Sequence, residues 1–178
     1  LELAGADPMR VGIAALLHAP AAVHINGPAL ARFETIYTGR AEGAHEVKLF
    51  LIAVDDAGRS GKKIGCGDSV VAVTRDLRPT STPLRAAIEE LLRIPRIYGS
   101  NPELYNALSQ SQLRLKSVSV RRGVARLSFA GRLVTGGVCD SPRVQAQIEE
   151  TALQFPTVKK VKVFINGLPL SVYLSERG

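Results

Sequence analysis

Cys66 and Cys139 are the first residues to weigh for chemistry. They stand 73 positions apart. Each sits in a glycine-bearing loop, Gly65-Cys66-Gly67-Asp68 and Gly136-Gly137-Val138-Cys139-Asp140. There is no Cys-x-x-Cys pair and no histidine near either one, so a metal-ligand set does not form around them. A single disulfide is the preferred reading, with two buried thiols as the alternative. The bond would close a long loop and contribute on the order of 4 kcal/mol in the chain-entropy treatment. It would also imply an oxidising compartment. Joining the cysteines would bring Asp68 and Asp140 together, with Arg143 close in sequence. These three residues are a candidate polar cluster. A charge-balanced start to the helix that begins at Ser141-Pro142 is preferred over a small reactive site.

The remaining chemistry is sparse. His18, His24 and His45 all lie in the first 45 residues. Residues 46–178 therefore lack the imidazole that Ser-His or Cys-His catalysis and most catalytic zinc sites require. Asp55-Asp56, Glu89-Glu90 and Glu149-Glu150 are adjacent pairs. Neighbours on a helix point in different directions, so such pairs do not converge on one substrate atom. They read as solvated helix or turn charges. The loop over 58–68 holds Lys62-Lys63 among glycines, but lacks the GxxxxGK[ST] spacing of a phosphate loop. Neither catalytic nor metal-binding residues, nor a cofactor, are expected. Arg121, Arg122, Lys159, Lys160 and Lys162 are candidate anion-facing residues, on a hairpin tip and a strand's solvent face.

Hydrophobic periodicity supplies the elements that must hold these residues. A nearly continuous apolar run over 46–54 predicts a central strand, and 69–75 a second. Thr82-Pro83 opens a helix in which Leu84, Ala87, Ile88, Leu91 and Leu92 form one buried stripe. Pro95 ends it. The stretch 96–108 reads as a linker with a short helical turn after Asn101-Pro102. Strands over 113–120 and 124–129 flank Arg121-Arg122-Gly123, a hairpin signal. A phase change between Leu115 and Val118 predicts a bulge. The second helix carries Val144, Ile148, Ala152 and Phe155, and a last long strand follows over 159–165. After the Asn166-Gly167 turn, 168–174 is expected to fold back as a strand. The expected class is α/β (α+β): a two-layer sandwich with both helices on one face of a mixed sheet of about four or five strands. Residues 1–45 read as an extension or tether-proximal segment, with short strands at 22–25 and 31–37. Residues 46–178 form the main domain.

The chain has 178 residues and a formal net charge of +7, with 46% hydrophobic and 22% charged residues. That composition describes an ordinary globular protein with enough chain for a core, not a disordered one. No apolar run approaches the roughly 20 residues of a membrane helix. The first 45 residues hold three Lys+Arg against four Asp+Glu, so the positive charge belongs to 46–178. A basic surface favours anionic partners. Nucleic acid is the lesser reading, because tryptophan is absent and only nine residues are aromatic.

The order of elements and several local sequences resemble one family. Val70-Val71-Ala72-Val73-Thr74-Arg75 precedes the helix ending in Leu91-Leu92. Val124-Ala125-Arg126-Leu127-Ser128 forms the hairpin's second strand. A helix carrying Thr151, Leu153 and Phe155 then leads into Val158-Lys-Lys-Val161-Lys-Val-Phe-Ile165-Asn166-Gly167. Over about 46–170 the chain resembles the GerMN domain, the sporulation and spore germination domain of bacterial envelope proteins. Ile94-Pro95 stands where the family often has Gly-Pro, and the two cysteine loops look like a subfamily feature. The resemblance implies an extracytoplasmic, often lipoprotein or membrane-tethered protein without enzymatic activity. Its partners would be a protein or further copies of itself in the envelope. An anionic envelope polymer is a further candidate, and the alternative function is a basic nucleic-acid-binding α/β domain.

Overall fold

Residues 45–98 and 101–175 are described by the computed structural model. Of the extension expected over 1–45, residues 1–44, with the short strands expected at 22–25 and 31–37, lie outside the described residues. The apolar run forms β1 (His45–Ala53), whose Leu49, Leu51 and Ile52 are fully buried. A strand covered on both faces requires such a run, where a half-exposed one would alternate. β2 (Lys62–Lys63) precedes β3 (Ser69–Leu77), which pairs antiparallel with β1 from His45↔Leu77 to Ala53↔Ser69. After α1 (Pro83–Arg93) come β4 (Ile97–Tyr98) and β5 (Asn101–Tyr105). These five strands form one sheet in the order β2-β3-β1-β5-β4.

The second sheet is built from β6 (Gln112–Arg121), β7 (Val124–Arg132), β8 (Lys160–Ile165) and β9 (Leu168–Pro169), in chain order. Arg122 and Gly123 both take positive φ, 50° and 77°, as a two-residue hairpin turn requires. β7 and β8 are parallel, which requires a crossover. That crossover is α2 (Asp140–Leu153). α1 buries Leu84, Ala87, Ile88 and Leu91, and α2 buries Val144, Ile148 and Ala152. α1 packs on β1 and β6, while α2 packs on β1 and β8. One apolar core therefore joins the helices to both sheets.

This is the expected α+β class, with the strands divided between two sheets. The bulge stands where the phase changes, between Leu115 and Ser117. The segment 96–108 differs from its reading as a linker with a helical turn: it contains β4 and β5. Asn106 explains why the chain is held there. Its buried amide donates to the carbonyls of Leu91 and Ile94 at the end of α1, at 3.2 and 2.7 Å. The segment 168–174 also differs. Only Leu168 and Pro169 form a strand, and α3 (Leu170–Ser175) follows. Leu168, Leu170, Val172 and Leu174 alternate as a strand would. Leu170 and Tyr173, three apart, bury on the core as one helical face instead, and tertiary packing outweighs the local pattern.

α2 also satisfies an exposed strand edge. β1 pairs with β5 only at Ile52↔Tyr105 and Ala53↔Leu104, so among the described residues no strand pairs with the backbone at Lys48 and Phe50 on that side. Gln154 receives the Lys48 N–H at 2.7 Å and donates to its carbonyl at 2.6 Å. Thr151 Oγ1 accepts the Phe50 N–H at 3.2 Å, and Gln147 Nε2 donates to the Phe50 carbonyl at 2.9 Å. Residues 147, 151 and 154 share one helix face, so the helix stands in for a neighbouring strand. Gln147, fully buried, also accepts the Ala107 N–H at 2.9 Å. Gln147→Ala should cost about 2–6 kcal/mol in urea denaturation, because two backbone groups lose their partner at about 1–3 kcal/mol each.

Candidate functional site

An open cleft of about 1200 Å³ lies where the end of β1, β4, β5 and the loop before α2 meet. Its floor includes Tyr105 and its flank carries the second cysteine loop. Cys66 and Cys139 are joined in a disulfide, with Cα atoms 5.7 Å apart. Cys66 occupies a 3-10 turn with φ of 61°, and Cys139 is the N-cap residue of α2. The bond thus fastens the turn before β3 to the N-cap of the crossover helix.

Beside it, Arg143 lies between two acids. Its Nε donates to Asp68 Oδ2 at 2.6 Å and its Nη1 to Asp140 Oδ1 at 3.1 Å. Asp68 is completely buried; its Oδ1 accepts the Asp55 N–H at 3.0 Å. Asp140 Oδ2 accepts the Gly136 N–H at 2.6 Å. All four carboxylate oxygens therefore have a donor from within the chain. The hydrogen bond to Asp68 is the main cause that raises the Arg143 pKa, so the guanidinium stays charged. Arg143 and Arg96 both stand over the Tyr105 ring, 5.8 and 5.5 Å from its centroid. Burial, reinforced by the Asp140 charge, pushes the Tyr105 phenol up.

Asp56, read in sequence as a solvated turn charge, turns inward and is 7% exposed. Ser60 donates to it from both its N–H and its hydroxyl, each at 2.7 Å, and Ser69 Oγ donates at 2.5 Å. The Ser60 N–H and the Ser69 hydroxyl, in that order, do most to lower its pKa to about 2. A depressed carboxylate stabilises the fold above its unfolded pKa of about 4, and loses that contribution as pH falls through the folded value. Asp56→Asn should therefore melt below wild type near neutral pH. The gap in Tm should close as pH falls from about 4 towards 2.

The candidate anion-facing residues fall outside this cleft. Arg121, Lys160 and Lys162 lie on the second sheet, and all three are exposed. Arg122 forms the hairpin tip, and the Lys159 N–H donates to Gly123 O at 2.7 Å just before β8. The structure brings Cys66, Cys139, Asp68, Asp140 and Arg143 together and keeps the basic residues apart from them.

The sequence matches the Germane family, described as sporulation and spore germination, over residues 53–171. The chain belongs to this family. The matched span holds both cysteines, the Asp68–Arg143–Asp140 cluster and the terminal Val158–Gly167 motif. Among solved structures, the tandem GerMN domains of the sporulation protein GerM from Bacillus subtilis align with TM-score 0.53 and 20% identity. That alignment covers 72% of this chain and 41% of the tandem structure. The first GerMN domain of the same protein aligns with TM-score 0.51 and 20% identity, covering 70% of this chain and 85% of that domain. At this identity the likeness is one of fold. Comparison with curated proteins gives no match.

Within the Germane domain, several cleft residues carried no signal in the sequence. Arg96 and Tyr105 belong to β4–β5 and its approach, a segment without strong periodicity. Ser60 and Ser69 acquire a role only because Asp56 turns inward. An acid followed four residues later by serine in a tight turn was the available clue, since short polar side chains bond locally to turn backbone.

Proposed function

We propose that this Germane domain is a non-enzymatic, extracytoplasmic module of the bacterial envelope that holds a protein partner in its cleft, in a sporulation or germination setting. The observation that carries the reading is the Cys66–Cys139 disulfide, because such bonds persist in oxidising compartments. The cleft contributes the rest. Asp68 and Asp140 have no free carboxylate oxygen to act as a general base. The cleft is open, and Val54, Ile97 and Val138 on its walls are 45%, 43% and 76% exposed. Arg59 and Arg96 flank these aliphatics. Among the described residues β4 is the terminal strand of its sheet, an edge that an extended segment can extend by backbone pairing. An extended peptide with apolar and acidic side chains matches this lining better than a small molecule, which is usually enclosed.

A photo-crosslinking side chain placed at Ile97 or Val138 tests the reading in cells of the source organism. The expected result is a discrete adduct to one envelope protein or to a second copy of the chain, absent when the probe replaces Leu168 on the other sheet. Adducts of equal yield from all three positions, or none from the cleft positions, would overturn it.

A further inference from the structure

The outward face of the second sheet forms a separate basic surface. β6, β7, β8 and β9 hold seven Lys+Arg and no Asp or Glu. Side chains alternate across a sheet, and Ala125, Leu127, Phe129, Val163 and Ile165 point into the core. Their neighbours point outward in registered rows: Arg121–Val124–Lys160, then Ser119–Arg126–Lys162, then Ser117–Ser128–Phe164. Arg114 lies one row further. Among the described residues, none of Arg114, Arg121, Arg126, Lys160 and Lys162 takes part in an ion pair. Phe164, the aromatic of this face, has the Arg126 guanidinium 3.6 Å from its ring centroid.

We propose that this face binds a linear phosphate-bearing polymer of the cell wall. Arg126 and Lys162 stand on adjacent strands about 5 Å apart, Lys160 and Lys162 about 7 Å apart along β8, and Arg121 about 10 Å from Lys160 across two strands, a spread of cations suited to a chain with a phosphate at every repeat. Serine hydroxyls between the cations add hydrogen-bond donors for the phosphate oxygens. A protein partner would need a large apolar anchor at the centre of the patch, and the rows offer charges, serines, one half-buried valine (Val124) and a ring already covered by arginine. Stacking of nucleic-acid bases needs an open aromatic surface, and Phe164 does not present one. The choice of a wall polymer over another polyphosphate rests on the extracytoplasmic reading above.

The test is a binding titration of the full chain against poly(glycerol phosphate), repeated at rising salt. Duplex DNA and phosphatidylglycerol vesicles serve as competing phosphate sources. The expected result is salt-dependent binding that prefers poly(glycerol phosphate). The double substitution Lys160→Glu/Lys162→Glu should weaken it about tenfold or more, with a shallower salt slope, since each lost phosphate contact releases fewer counterions. Lys63→Glu/Arg78→Glu makes the same charge change on exposed residues in β2 and just after β3 of the other sheet and should bind as wild type does. Both variants should keep the wild-type melting transition, which separates lost binding from lost fold. Absence of polymer binding at low salt, equal weakening by both variants, or preference for DNA or vesicles would overturn the proposal. Failure here with the disulfide oxidised in cells would leave the extracytoplasmic reading standing; reduced cysteines in cells would remove both.

Discussion

Replacing Cys66 and Cys139 together by serine should lower the unfolding free energy by about 4 kcal/mol. The bond spans 73 positions, so its loss returns a large amount of freedom to the unfolded chain. Domains of this size are stable by only about 5–15 kcal/mol, so the variant should unfold at much lower denaturant concentration. The loss has a local side as well. The bond fixes Cys66 in a left-handed conformation and holds the first turn of α2 to the start of β3. Without it, that corner relies on Arg143 bridging Asp68 and Asp140. Denaturation in urea, with the change in midpoint read at constant slope, measures the effect. A shift below about 1 kcal/mol would mean that the bond adds little to the fold.

Arg143→Met should be as damaging, at about 3–5 kcal/mol, because it leaves buried acids without their cation. Asp68 is wholly buried and the Arg143 side chain is only 16% exposed, so water cannot replace the lost charge. Most of this cost is the penalty of an uncompensated buried carboxylate. Adding Asp68→Asn to Arg143→Met should therefore recover part of the stability, while keeping an oxygen to accept the Asp55 N–H. A double-mutant cycle should return a coupling energy of about 1–3 kcal/mol. Strict additivity of the two substitutions would contradict the geometry. Because the disulfide and this cluster brace the same corner, combining Arg143→Met with loss of the cysteines should also depart from additivity.

The parts of this molecule that were legible in the sequence are those where local pattern and tertiary outcome agree. The apolar run of β1, the stripe of α1, the Arg122-Gly123 turn and the phase change after Leu115 each have one physical solution. The cysteine loops were legible because two cysteines in glycine-bearing loops, with no histidine beyond His45, leave few chemical alternatives. Other features depend on distant neighbours. Leu170 and Tyr173 choose a helix because a core surface waits for them. Asp56 becomes a buried acceptor only once Ser60 and Ser69 surround it. Gln147 and Gln154 were the hardest to read: polar residues on a helix usually face water, and here they complete the hydrogen bonding of β1. The division of strands into two sheets was also hidden, because periodicity reports which face is buried and not which strands pair.

The most direct test of the central claim is the redox state of Cys66 and Cys139 in the living source organism. Intact cells are alkylated with a thiol reagent, and the purified protein is weighed before and after reduction. An extracytoplasmic Germane module should carry no label until it is reduced, and two labels afterwards. Two labels without reduction would place the chain in a reducing compartment and contradict the account.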